Sequence, residues 1–297
     1  MANFLVEDFK KIFQGKDQIL AQIIVINVSV FIVFNILDNF FPLSYWFMLP
    51  GNFLGVLTKP HTIFTYMFLH GGLFHILFNM LWLYWLGKIF IEYQGAKRFS
   101  AVYFMGGIAG GLLYILFNNM ITGFGGLGGT TGLIGASAAV LAVVAAVGTL
   151  LPNYTIHLFL LGPVRMKYLA IGAVVISSLL DLSVNTGGKI SHLGGAAFGF
   201  LYVRSVQRGK DLGEVFYKVS DFFKFLFAKK PKKMKVTYSR AKAGGNKRAT
   251  NSPSSKSSTT PSVDQAVIDR ILDKISKSGY DSLTKEEKSI LFKASNN

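Results

Sequence analysis

An all-α membrane protein of six helices is the fold class that three observations predict. Of the 297 residues, 51% are hydrophobic and only 15% charged, a balance too apolar for an ordinary soluble domain. No Asp, Glu, Lys or Arg falls between Arg98 and Arg165, a span long enough for at least two bilayer crossings of ~20 residues each. Apolar segments recur at roughly 18–37, 72–92, 99–118, 134–151, 166–183 and 190–206, divided by glycine, proline or charge.

The elements follow in chain order. Residues 1–17 mix charge with a weak amphipathic pattern and form a cytoplasmic N-terminal segment. The run at 18–37 is too long for a signal-peptide core and ends without a small-residue cleavage site, so it reads as a retained first helix. The connection 38–70 is rich in Phe, Trp and Tyr and broken by Pro42, Pro50 and Pro60. Too apolar for water and too interrupted for a span, it is expected to lie in the membrane interface. After the helices at 72–92 and 99–118, the glycine-rich stretch 119–133 cannot sustain a stable helix. The three remaining segments complete a six-helix domain over 18–206.

Orientation follows from the basic residues. Lys10, Lys11 and Lys16, then Lys97 and Arg98, then Arg165 and Lys167, fall on one side, while the other side has Lys59, an uncharged glycine loop and Lys189. The positive-inside rule therefore puts both termini in the cytoplasm. Much of the net charge of +16 sits just after the last helix: 14 Lys/Arg against three Asp/Glu from Arg204 to Arg248. That placement fits anionic lipid at the cytoplasmic surface and not nucleic acid.

Residues 207–262 read as a basic and then Ser/Thr-rich linker. In 263–297, Val267, Ile271 and Ile275 recur at helical spacing, Gly279 is a stop, and Thr284 with Glu287 makes a capping box. A small helical hairpin is expected there. Its size calls for a partner surface whose identity the sequence does not disclose.

Polar side chains within membrane helices are costly, so each one is a functional candidate. His70, His75 and Asn79 gather at the start of the second helix, Ser137 at the start of the fourth, and His192 at the start of the sixth. All three starts fall on the non-cytoplasmic side. Ser137 lies just after Gly135 in a first helical turn, where backbone N–H groups have no intrahelical acceptor and favour a developing oxyanion. Gly195 and Gly199 share a face with His192, and small residues on the fourth helix (Ala138, Ala142, Ala145, Ala146) can meet them closely. Such contact would bring His192 within reach of the Ser137 proton. His75 and Asn79, four apart, present N–H donors on one face, with His70 off it. With no cysteine, no HExxH and no nearby carboxylate, no metal is expected.

Taken together, "HGGLFHILFN", "GAS" and "HLGGAAFG", in this order and on these helices, resemble the H-x4-H-x3-N, G-x-S and H-x2-G-x3-G elements of the rhomboid family of intramembrane serine proteases. "EYQGAKRFSAVY" after the second helix fits as well, and the resemblance covers about residues 15–206. It implies a Ser137–His192 dyad, with His75, Asn79 and the Ser137 N–H as oxyanion hole and His70, Gly135, Gly195 and Gly199 supporting. The implied reaction is cleavage of a peptide bond in or beside a substrate's transmembrane segment through an acyl-enzyme, with no cofactor, in a bacterial inner membrane. The chain departs from the pattern in having Ala138 and Leu141 where many members have a glycine and an aromatic, and Phe47 after Trp46 where some have arginine.

Two rival readings stand beside the protease. A catalytically silent relative that binds membrane-protein clients would not need Ser137, His192, His75 and Asn79 together. A transporter or channel would want charge along a pathway, whereas Lys88, Glu92 and Asp181 lie near helix ends.

Overall fold

A computed structural model of the protein describes residues 15–122, 132–158, 162–179, 186–227 and 265–295. The expectations for residues up to 14, the glycine run 123–131 and the linker 228–264 lie outside the described residues. The chain divides into two compact units, Met1–Pro231 and Lys232–Asn297.

The first unit begins with α1 (Gln18–Leu37), a mostly apolar helix whose buried residues include one polar side chain, Asn27. Buried among apolar neighbours, the Asn27 amide donates to the Ile23 carbonyl (2.8 Å) and the Tyr103 hydroxyl (3.3 Å). The connection that follows folds into three short helices, α2 (Ser44–Phe47), α3 (Phe53–Thr58) and α4 (Thr62–Thr65). Asn52 caps α3 by accepting from the Gly55 N–H. The Lys59 ammonium lies 3.6 Å from the Tyr45 ring centroid and 4.6 Å from that of Trp46, a cation held by two aromatic faces.

Next comes α5 (Leu73–Thr122), two arms joined without a loop. Only Gly95, at φ 81°, departs from helical geometry, so the expected break between the second and third helices shrinks to one glycine. After it come α6 (Ser137–Leu150), an antiparallel hairpin of β1 (Thr155–Leu158) and β2 (Gly162–Arg165), α7 (Met166–Leu179) and α8 (Thr186–Gln207).

Helix α6 is the centre of the core: every residue from Ala138 to Val144 is buried, as an all-round apolar helix requires. Its neighbours come close because they lack side chains. A Cβ at Gly195 or Gly199 of α8 would collide with the carbonyl oxygen of Ala138 or Ala142, and one at Gly106 of α5 with the Ala142 methyl.

Several expectations change. The fourth helix starts at Ser137, three residues into the apolar segment 134–151, and the sixth starts four residues early, at Thr186. Lys189 is therefore a residue of α8, buried, and among the described residues its ammonium has no hydrogen-bond partner. The fold is mostly helical but includes the hairpin, because the chain between α6 and α7 alternates Ile156, Leu158 and Val164 with polar or exposed residues. Within the stretch read as a linker, α9 (Glu214–Phe227) is an amphipathic helix. Asp211 secures its start by accepting from the Tyr202 hydroxyl (2.8 Å), the Arg98 Nε (3.1 Å) and the Gly213 N–H (2.8 Å). Among the described residues, two helices are long and apolar enough to cross a membrane, Gln18–Leu37 and Leu73–Ile121; Ser137–Leu150 and Met166–Ser178 are shorter apolar helices.

The second unit holds α10 (Gln265–Ser278) and α11 (Lys285–Ser295). Gly279 turns the chain at φ 76°. The capping box is reciprocal: Thr284 N–H donates to Glu287 Oε2 (2.8 Å) and Glu287 N–H to Thr284 Oγ1 (3.3 Å). Ile271 and Leu283 are its buried apolar residues.

Candidate active site

Residues from three helices converge as follows. A short pairing delivers Ser137: Leu49 and Leu133 exchange both backbone hydrogen bonds (3.0 and 2.9 Å), and Gly135 N–H donates to the Tyr66 carbonyl (3.0 Å). Gly135 then adopts φ 127°, a conformation that disfavours side chains, and a Cβ there would sit 3.0 Å from the His75 ring and 3.4 Å from Ser137 Oγ. Glycine is needed twice over, for the turn and for the space. Ser137 is the first residue of α6, so its backbone N–H has no acceptor within the helix.

His192 reaches Ser137 from α8, with Nε2 at 2.6 Å from Ser137 Oγ. Its Nδ1 lies 3.0 Å from the Ser177 carbonyl oxygen. A carbonyl oxygen can only accept, so Nδ1 carries the ring proton. Nε2 is then the lone-pair nitrogen, facing the Ser137 hydroxyl as an acceptor. The Ser177 carbonyl is available for this because it lies in the last turn of α7, where carbonyls lack helical donors. Sequence reasoning missed Ser177. It acts through its backbone, which leaves no side-chain pattern; the only signal was a helix ending just before the histidine helix.

His75 and Asn79 line the same cavity as Ser137. The Asn79 amide donates one hydrogen to the His75 carbonyl (2.8 Å), its own helix one turn back, which fixes the side chain and leaves the second N–H for the cavity. His70 does not line this cavity. Its ring stands edge-on to that of His75, centroids 5.1 Å apart, and Nδ1–H donates to the Phe68 carbonyl (3.3 Å). Burial pushes His70 down to about 4, with the neighbouring His75 adding to the shift, so the ring is neutral at pH 7. Gly195 and Gly199 lie against the α6 backbone and allow His192 its approach. Among the described residues, no three His, Cys, Asp or Glu side chains come together as metal ligands.

The cavity has a volume of about 690 Å³ and apolar walls from α5, α6 and α7. A nucleophilic hydroxyl, a neutral imidazole accepting from it, and N–H groups beside them are the parts that acyl transfer requires.

A family model described as the Rhomboid domain matches residues 57–208. A second, described as a family of unknown function (DUF6576), matches residues 262–297. The chain is 29% identical over 142 residues to RHOMBOID-like protein 1 of Arabidopsis thaliana, covering 47% of this chain and 32% of that protein. The chain thus spans about a third of the length of the curated relative it matches.

Proposed function

The chain belongs to the Rhomboid family of membrane proteins, and we propose from that premise that it is an intramembrane serine endopeptidase. The observation that carries the reading is the 2.6 Å approach of His192 Nε2 to Ser137 Oγ, with Nδ1 held by the Ser177 carbonyl. Ser137 Oγ attacks the peptide carbonyl while His192 Nε2 takes its proton. The resulting oxyanion is met by the Ser137 N–H, the free Asn79 N–H and His75. His192 returns the proton to the leaving amine, and water releases the acyl group by the same route. No cofactor takes part in this scheme.

The setting proposed for this chemistry is a six-span bundle of α1, the two arms of α5, α6, α7 and α8, with α2–α4 in the interface and both termini cytoplasmic. Helix α6, with 14 residues, measures about 21 Å, less than a ~30 Å hydrocarbon core. Ser137 then lies below the membrane surface, where a substrate's transmembrane segment can reach it. We assign the basic stretch after α8 to anionic lipid, in a bacterial inner membrane. The α10–α11 unit is a docking element for a further protein.

A fluorophosphonate probe tests the proposal. Wild type should be labelled and Ser137→Ala should not; equal labelling of both favours the silent client-binding relative.

A further inference from the structure

Helix α9 is held along one side and left open along the other. Its first turns are fixed where α8 ends and the second arm of α5 begins. There Asp211 accepts from Arg98 and Tyr202, and the Tyr202 and Tyr217 hydroxyls meet at 3.0 Å. The Lys97 ammonium lies 4.2 Å from the Tyr217 ring centroid, and Phe104 stacks with both Phe216 and Phe64. Val215, Val219, Phe222, Phe223 and Leu226 recur three and four positions apart and so share a face. Each of them is half or more exposed. Glu214 and Lys218, also exposed, belong to another face. An apolar cleft of about 700 Å³ stays open beside α5, bounded by Phe64, Phe104 and Ile108 against Phe216, Val219 and Phe223.

We propose that α9 lies in the plane of the cytoplasmic leaflet, with its apolar face and the cleft covered by lipid acyl chains and its charged face among the headgroups. This rests on the six-span topology proposed above and not on the proteolytic chemistry. Three observations select lipid as the occupant. Helix α8 ends at Gln207, six residues separate it from Glu214, and Asp211 ties the junction, so α9 begins at the membrane surface. With 14 residues α9 measures about 21 Å, too short to cross a ~30 Å core, so its apolar face meets hydrocarbon only by lying flat. Between Asp221 and Asp264 the sequence has 11 Lys/Arg and no Asp or Glu. A row of Phe, Val and Leu that continues into a run of cations matches a surface offering hydrocarbon and anionic phosphate together. The cations then supplement an apolar anchor instead of acting alone.

The chain has no cysteine, so single nitroxide labels need no removal of native thiols. Glu214→Cys, Val215→Cys, Lys218→Cys, Val219→Cys, Phe222→Cys and Leu226→Cys all fall at exposed positions and leave the packed side of α9 intact. The full chain is labelled and placed in vesicles of equal parts phosphatidylcholine and phosphatidylglycerol. Labels at Val215, Val219, Phe222 and Leu226 should respond to oxygen, which concentrates in hydrocarbon, and lie about 5–10 Å below the phosphates. Those at Glu214 and Lys218 should respond to a water-soluble nickel chelate, so that access oscillates with a period of about 3.6 residues. Nickel access at all six positions overturns the proposal, because the face is then open to water. Access by neither reagent along the apolar face also overturns it, because protein is then the cover. Topology is read separately in cells. An impermeant maleimide applied outside should modify Asn39→Cys, and should reach Thr155→Cys and Lys218→Cys only after permeabilisation. Modification of Lys218→Cys from outside overturns the six-span topology and the cytoplasmic placement of α9 with it.

Discussion

His192 sits between two oxygens of different kinds, and the difference decides where its proton resides. The Ser177 carbonyl can only accept, so the ring turns a lone pair to the Ser137 hydroxyl. No carboxylate is required for this orientation, nor an aromatic ring one turn beyond the serine, where Leu141 is buried. Asn79 contributes in the same local way, with one amide hydrogen fixed on the His75 carbonyl and the other free to act. Asn79→Ala should therefore lower kcat about 100-fold with little change in KM, as loss of one oxyanion donor does. A fall confined to KM would show that Asn79 serves substrate binding instead. Ser137, His192, His75 and Asn79 were legible because their side chains are polar in apolar surroundings. Ser177 was not legible, since its part is played by a group that every residue has.

Helix ends and breaks matter more than helix interiors in positioning the site. Gly95 divides α5 at φ 81° with open space around it, so its requirement is conformational and not steric. Gly95→Ala should cost about 1–3 kcal/mol of stability, seen as a lowered denaturation midpoint, although the new methyl touches nothing. Asp211 anchors α9 to α5 and α8. Burial alone would raise its carboxyl, but the Gly213 N–H, the Tyr202 hydroxyl and the Arg98 guanidinium outweigh it and hold the group below the usual range. An acid depressed in the fold stabilises it above the ordinary value of about 4, and this is lost as pH falls through the lowered one. Protection of α9 amides, taken relative to the intrinsic exchange rate at each pH, should therefore fall on acidification below about pH 4, and in Asp211→Asn it should be low at every pH. The composition of α9, Phe-rich and framed by lysines, hid it inside a basic stretch. Only its packing, with Phe216 stacked on Phe104 at 5.6 Å and 22°, separates it from a linker.

At the scale of the whole molecule, the chain is two units that divide at Pro231. Ending the chain at residue 231 should leave fluorophosphonate labelling of Ser137 at the wild-type level, since every group of the site lies in the first unit. Loss of labelling would tie the α10–α11 unit to activity. The sequence by itself determined the mostly helical class and the family, and it singled out Ser137, His192, His75 and Asn79, which the structure brings together. Those follow from composition, from a period of apolar segments, and from polar groups at fixed spacings, all of which are local properties of the chain. It also determined the α10–α11 hairpin, because a capping box and a turn glycine act within a few residues. Tertiary structure alone decided that Ser137 meets His192 at 2.6 Å, 55 positions along the chain. It also decided that Gly135 leaves room for His75 and that Leu158 and Val164 of the β-hairpin line the cavity. Each of these is a contact between distant segments, set by how closely glycine and alanine let helices approach, and no local pattern encodes such a distance.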